Sequence, residues 1–252
     1  MIETRRSLLL QELDRKGEME LDELHEFMPD VSLMTIRRDL ISLENEGKVI
    51  RVRGGARSRK INAVISEPAY NQRLQSHDQA KMEIAKKAQQ LVSPGRSIYI
   101  DSGTTCLAFA RELPDDNLFV ITPSPHVALE LAKRQSIKVN LTGGQLNRDT
   151  QTLTGTNAAN YVKGINIDFA FIASSAFSLQ HGFSCGDFDE AELKRLIIKK
   201  AQFVVVLMDQ SKLGFSMPYT FAQLSNINAL ICDNTLPDNY LKSLRRSQVR
   251  LF

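Results

Sequence analysis

The sequence has no tryptophan, three cysteines and four histidines among its 252 residues. Cys106, Cys185 and Cys232 lie far apart and match no zinc-ligand spacing, so no metal is expected and a reducing cytoplasm is the simplest setting. Long hydrophobic runs are also missing. The longest, Phe203 to Met208, suits a buried strand and is far too short to span a bilayer, so no membrane partner is expected. Leu8, Leu9 and Leu10 follow two arginines, but Gln11, Glu12 and Asp14 come at once, which argues against a signal-peptide core. No repeat of fixed period and no low-complexity tract occurs. Net charge is only +3, too little to predict a polyanionic partner by itself. What is present, 42% hydrophobic and 24% charged residues, is an ordinary globular composition, long enough for a small domain beside a medium one.

Charge is informative through its distribution. Residues 18–30 carry six acids and no Lys or Arg, whereas residues 48–60 carry six bases and no acid. A phosphate backbone responds to such a local basic edge rather than to the sum. Periodicity around it predicts a compact unit over 1–56. Leu9, Leu10 and Leu13 mark one face of a helix over 3–16 that Gly17 ends, and Leu21, Leu24, Phe27 and Met28 mark a second, broken by Pro29-Asp30. Ser32 is a suitable N-cap for a third helix burying Ile36, Leu40 and Leu43 before Gly47 closes it. Val49 to Val52 reads as a strand, with Gly54-Gly55 as the turn of a wing.

Three helices and a wing in this order predict a winged helix-turn-helix, whose second motif helix presents its first turns to the DNA major groove. On that reading Ser32, Met34, Thr35, Arg37 and Arg38 face DNA, Ile36 and Leu40 face the core, and Asp39 braces a neighbouring Arg or Lys. Arg51, Arg53 and Arg57 on the wing are placed to follow the backbone or enter the minor groove.

Residues 57–75 show no sustained period and read as a linker. From 76 to 252 the pattern alternates helix and strand: helices near 79–92, 104–112, 124–134, 189–201 and 236–245, and strands near 97–101, 118–122, 137–141, 168–173, 203–208, 229–232 and 248–252. This predicts an α/β domain with a mostly parallel sheet covered on both faces. Asp101-Ser102-Gly103-Thr104-Thr105 joins a strand to a helix, bringing backbone N–H groups, hydroxyls and a helix dipole to one strand end, a natural anion site. Gly143-Gly144 follows another strand and permits close backbone approach to a ligand. Asp209, Ser211 and Lys212 follow the strand at 203–208. Glu190 and Lys194 share a helix face, by default a surface ion pair.

The string Ser32-Leu-Met-Thr-Ile-Arg-Arg-Asp-Leu40, with Arg5 before it and Arg53-Gly54-Gly55 after it, resembles the N-terminal signature of the DeoR family of bacterial sugar-metabolism regulators. Asp101 to Thr105, Gly143-Gly144, Asp168 to Ser175, Glu190 to Arg195 and Asp209 to Gly214 are similar, in order, to that family's effector domain. The resemblance implies a Rossmann-like α/β domain related in fold to ribose-phosphate isomerase and glucosamine-phosphate deaminase. It further implies that Ser102, Gly103, Thr104, Thr105, Gly143 and Gly144 hold a phosphate, with Lys212, Asp101 and Glu190 near the sugar. Where the family usually has Thr-Asn, Thr122 is followed here by Pro123-Ser124-Pro125; proline donates no hydrogen bond, leaving Ser124 as a substitute.

The implied function is a DNA-binding repressor of a carbohydrate operon, released from operator DNA by a phosphorylated sugar. Such regulators read paired half-sites, so a homo-oligomer (dimer or tetramer) is expected, with no cofactor. The rival is a sugar-phosphate isomerase or deaminase carrying a DNA-binding appendage. Its proton transfer between C1 and C2 needs a carboxylate base. Asp101, Glu190 and Asp209 are the candidates, and none of His77, His126 and His181 pairs with them convincingly. An architectural DNA binder would leave the polar strand ends unexplained.

Overall fold

The computed structural model describes residues 2–46, 48–52, 54–58 and 67–252. Gly47, Arg53 and residues 59–66, including Arg59, Lys60 and much of the expected linker, lie outside the described residues. The chain divides into two compact units, Met1–Ser66 and Glu67–Phe252.

The first unit contains α1 (Ile2–Lys16), β1 (Glu18–Glu20), α2 (Leu21–Phe27), α3 (Leu33–Asn45), β2 (Val49–Val52) and β3 (Gly55–Ser58). Its core is small and joins all of these elements: Leu9 and Leu13 from α1, Met19 from β1, Leu24 from α2, Ile36, Leu40 and Leu43 from α3, Val49 and Ala56 from the wing. Strand β1 was not legible as periodicity, because three residues with one buried side chain carry no period. It completes an antiparallel sheet of order β1-β3-β2. Gly54 makes the wing turn with φ +87, whereas Gly55 already pairs within the sheet. A Cβ on Gly55 would stand 2.1 Å from the Met19 carbonyl oxygen, so the second glycine is required by the close approach of β1.

The second unit begins with α4 (Tyr70–Leu74), inside the segment that reads as a linker, and α5 (Asp78–Gln89). It continues with β4 (Ser97–Ile100), α6 (Thr104–Glu112), β5 (Leu118–Thr122), α7 (Pro125–Leu131), β6 (Ile137–Leu141), a hairpin of β7 (Gln145–Leu146) and β8 (Leu153–Thr154), α8 (Thr156–Lys163) and β9 (Ile167–Ala173). Next come β10 (Ala176–Ser178), β11 (Gly182–Cys185), α9 (Phe188–Lys200), β12 (Ala201–Leu207), β13 (Tyr219–Ala222), β14 (Ala229–Ile231), α10 (Asp238–Arg246) and β15 (Arg250–Leu251). Seven strands form one sheet of order β15-β14-β12-β9-β4-β5-β6, every pairing parallel.

Its two faces carry separate cores. Ile98, Ile100, Phe171, Val205 and Leu207 point to α5, α6 and α7, while Tyr99, Ala170, Ile172, Val204 and Val206 point to α8, α9 and α10. Burial on both sides is why these strands read as continuous apolar runs. The small antiparallel sheet β10-β11-β13 was missed, its strands being three or four residues long; Phe177 and Phe183 stack across it at 4.1 Å. No helix among the described residues is long and apolar enough to cross a membrane.

Candidate functional site

Helix α3 is set up by its own sequence. Ser32 caps it, its Oγ accepting from the Thr35 amide at 3.3 Å and lying 2.9 Å from the Thr35 hydroxyl. Ile36 and Leu40 anchor the inner face, leaving Ser32, Met34, Arg37 and Arg38 exposed and Thr35 half-buried. Neither Arg37 nor Arg38 has an ion pair or side-chain hydrogen bond among the described residues. Both guanidinium groups therefore reach solvent unneutralised. Asp39 does brace arginines: its carboxylate, 2% exposed, accepts from Arg5 Nε at 2.6 Å, Arg5 Nη2 at 3.1 Å and Arg6 Nε at 3.1 Å. Burial pushes this carboxyl up, but the hydrogen bonds from Arg5 and then Arg6, with their charges, bring it below the ordinary range.

The wing differs from its sequence. Arg51 is bound to Glu44 at 2.6 Å, Arg57 to Glu18 at 2.6 Å and Lys48 to Glu46 at 2.6 Å, so the described bases of the 48–60 run each have an acid beside them. Folding brings the acidic 18–30 segment and the end of α3 against the wing, which linear charge counting does not see. Exposed pairs of this kind are weak and exchange readily for a phosphate.

In the second unit, strands after β4 run outward through β5 to β6, and then the chain returns to lay β9 on the other edge of β4 and continues to β12. The β4–β9 boundary is the topological switch point, where ligands of open α/β sheets bind beyond the carboxyl ends. Asp101 stands there, 1% exposed. Its amide donates to Phe171 O at 2.9 Å and its Oδ2 accepts from the Ala173 amide at 3.1 Å, which locks the two strand ends together. Lys194, from α9, is 2% exposed; its Nζ is hydrogen-bonded to Asp101 Oδ2, donates to Ala173 O at 3.0 Å and lies 3.0 Å from Glu190 Oε1.

The Glu190–Lys194 pair is therefore not the surface pair that helix spacing suggested. Both side chains are buried at the switch point, because α9 crosses over the ends of β4 and β9. Burial disfavours the Lys194 charge, but Asp101 and then Glu190 outweigh it and hold the ammonium well above its ordinary range. Burial pushes the Glu190 carboxyl up to about 7, Lys194 opposing and the negative charges of Glu67 and Asp101 adding to it. A raised carboxyl favours the fold below its ordinary range and loses that advantage as pH rises toward 7. Glu190→Gln, which mimics the protonated form, is thus expected to gain melting temperature relative to the parent between pH 5 and pH 8. A difference that stays flat over that window would contradict this.

Ser102, Gly103 and Thr104 are buried at the start of α6, and Thr105 is half-buried. Gly103 caps the helix with φ +101, a conformation L side chains rarely adopt. The four residues adjoin Asp101 in the chain, so the structure brings this segment, Glu190 and Lys194 to the same strand ends. Of the two other glycines, Gly143 (φ +70) faces open space, whereas a Cβ on Gly144 would meet Thr154 O at 2.3 Å, so the approach of β8 by itself already requires a glycine there. Asp209 is used by its own turn, its Oδ1 accepting from the Ser211 amide at 3.0 Å. Lys212 follows it, half-buried beyond the end of β12, two strands from β4, with no ion pair or side-chain hydrogen bond among the described residues.

Pro123 also has a structural role: its carbonyl accepts from the Leu153 amide at 2.8 Å, pinning β8 to the end of β5. Ser124 is fully buried and caps α7, its Oγ accepting from the Val127 amide at 3.3 Å. Lys194 is the functional candidate that sequence reasoning undervalued, since spacing alone does not reveal burial. Glu67 and Arg73, an ion pair at 3.2 Å, lie in the expected linker, where no periodicity or motif marks them.

Comparison with known proteins accords with both halves of this geometry. Residues 5–62 match the DeoR-like helix-turn-helix domain and residues 76–234 the DeoR C terminal sensor domain. The chain is 34% identical over 233 residues to the HTH-type transcriptional regulator GolR of Listeria innocua, covering 92% of this chain and 91% of the relative. It is 36% identical to the regulator GlpR of Haloferax volcanii over 81% of this chain and 80% of the relative. It is 32% identical to the transcriptional repressor GlcR of Bacillus subtilis over 88% and 84%. Among solved structures, ribose 5-phosphate isomerase A of Methanocaldococcus jannaschii aligns over 55% of each chain at 21% identity and a TM-score of 0.41. The chain, with a winged helix-turn-helix ahead of a parallel α/β sensor domain, belongs to the DeoR family of DNA-binding transcriptional regulators.

Proposed function

We propose that this regulator represses a carbohydrate uptake or catabolism operon and is released from its operator by a phosphorylated sugar. The observation that carries the reading is the buried Asp101–Lys194–Glu190 group at the switch point, beside the Ser102–Thr105 helix start. A helix start provides for phosphate and the carboxylates for sugar hydroxyls. The first unit, Met1–Ser66, acts on DNA, and the second, Glu67–Phe252, senses the effector and homo-oligomerises. Ser32, Met34, Thr35, Arg37 and Arg38 read the operator, with Arg51, Arg53 and Arg57 on its backbone. Asp101, Ser102, Gly103, Thr104, Thr105, Gly143, Gly144, Glu190 and Lys212 form the effector site, without turnover. For release, the effector must bind the free state more tightly than the operator-bound state, since equal affinity shifts nothing.

The test is operator titration with a panel of sugar phosphates, alongside turnover assays on the same panel. Release by at least one compound is expected; turnover without any effect on DNA binding would sink the reading. Arg38→Ala is expected to cost about 1–3 kcal/mol of operator affinity and to relax sequence preference at one position. A small loss, equal on all sequences, would make Arg38 a phosphate contact only.

A further inference from the structure

Among the described residues, six buried side-chain nitrogen or oxygen atoms have no hydrogen-bond partner: Glu67 Oε1, Tyr70 Oη, Arg73 Nε and Nη2, Thr150 Oγ1 and Glu190 Oε2. Leaving such an atom unpaired forfeits its hydration with nothing in return, so six within one unit require an explanation. They are not scattered.

The residues that carry them lie on one closed circuit of contacts. The Glu190 amide donates to Asp187 Oδ1 at 2.8 Å, and Asp187 Oδ2 accepts from Asn147 Nδ2 at 3.1 Å. Asn147 Oδ1 accepts from the Thr150 amide at 3.2 Å, and the next residue, Gln151, meets His126 Nε2. The His126 ring stacks on Tyr70 at 4.7 Å, and the Arg73 guanidinium lies 5.7 Å from the Tyr70 ring centre. Arg73 Nη1 reaches Glu67 Oε2 at 3.2 Å, and Glu67 packs against Gly186, where a Cβ would meet Glu67 Cγ at 3.7 Å. Gly186 adjoins Asp187, where the circuit started.

Three members, Glu67, Tyr70 and Arg73, come from the strap of residues 67–74 that opens the second unit. Lys81, 5% exposed, holds the end of the strap by donating to Arg73 O at 2.6 Å and Leu74 O at 3.2 Å. The unpaired atoms define a chemistry: Arg73 only donates, an ionised Glu67 or Glu190 only accepts, and Tyr70 and Thr150 do either. A molecule satisfying them needs hydroxyl groups to donate and anionic or hydroxyl oxygens to accept.

We propose that Glu67, Tyr70 and Arg73 bind the effector directly, opposite Glu190 and Thr150, so that an anionic polyol pins the strap against the sensor sheet. The inference rests on the sensing role proposed above and deepens it. In the sequence the strap lies eight residues beyond the wing strand β3, so an effector held by the strap acts on the stretch of chain nearest the DNA-reading unit.

Tyr70→Phe keeps the stack on His126 and removes one unpaired hydroxyl; Glu67→Gln is isosteric and removes one charge. Calorimetric titration of both variants and the parent uses ribose 5-phosphate, glucose 6-phosphate, fructose 6-phosphate, glucosamine 6-phosphate and inorganic phosphate. For any sugar phosphate the parent binds, each variant is expected to bind roughly tenfold more weakly, the worth of one buried hydrogen bond. Ligand-free melting temperatures stay within a few degrees for Tyr70→Phe, which loses no contact in the free protein. Affinities within twofold of the parent, or a loss that only tracks a fallen melting temperature, would overturn the strap's role while leaving the sensing role standing. If the parent binds no sugar phosphate, the sensing role itself fails and this inference with it.

Discussion

Lys194→Met lowers the melting temperature of the sensor unit by about 10 °C at pH 8, a loss as large as that from truncating a core aromatic. The ammonium is 2% exposed and stands between two carboxylates that are 1% and 6% exposed. Methionine fills similar volume but leaves Asp101 and Glu190 buried without a cation. Breaking a buried pair from one side costs about 3–5 kcal/mol, and a unit of this size loses about 2–4 °C per kcal/mol. The loss shrinks at pH 5, where Glu190 takes up a proton and one of the two stranded charges disappears. Neutralising the carboxylates together with the lysine, as Asp101→Asn, Glu190→Gln and Lys194→Met combined, recovers much of the stability. A single variant that melts within 2 °C of the parent at pH 8 would show that the three charges are not an interdependent group.

Asp39→Ala is expected to weaken operator binding by well over tenfold although no DNA-facing side chain is altered. Asp39 follows Arg38 on α3 and is the anchor through which α1 holds that helix, by three hydrogen bonds from Arg5 and Arg6. The two arginines are a quarter to a third exposed, which screens the pair, so the cost is smaller than that of breaking a dry pair. The depressed carboxyl also fixes the pH sense: the stabilisation is present above the ordinary carboxylate range and is lost only as pH falls through the lower folded value. Denaturant unfolding of the variant and operator titration at neutral pH check both statements. Unchanged affinity would mean that the position of α3 is fixed by Ile36, Leu40 and Leu43 alone.

The two cases differ in what could be read beforehand. That Asp39 braces an arginine was legible, because an acid inside a DNA-facing string has few other uses and Arg5 and Arg6 stand ready in the first helix. That Lys194 is buried was not. A Glu-x-x-x-Lys spacing has the same form on a solvated face and on a face laid over strand ends, and only the path of α9 across β4 and β9 distinguishes them. Wing charge is hidden for a related reason: Arg57 meets Glu18 across the β1–β3 pairing, 39 residues away in the chain, and Arg51 meets Glu44 at the end of α3.

By itself the sequence determined the local structure: the Ser32-capped helix α3, the glycine turn of the wing, the doubly covered parallel sheet and the glycine-capped start of α6. Each follows from residues within a few positions of one another, through periodicity, capping or backbone freedom. Tertiary structure alone decided which charges are neutralised, which are buried, and that a segment with no period of its own, Glu67 to Leu74, packs against His126 and Gly186. Those outcomes depend on burial and on contacts between residues far apart in the chain, and a linear pattern carries neither.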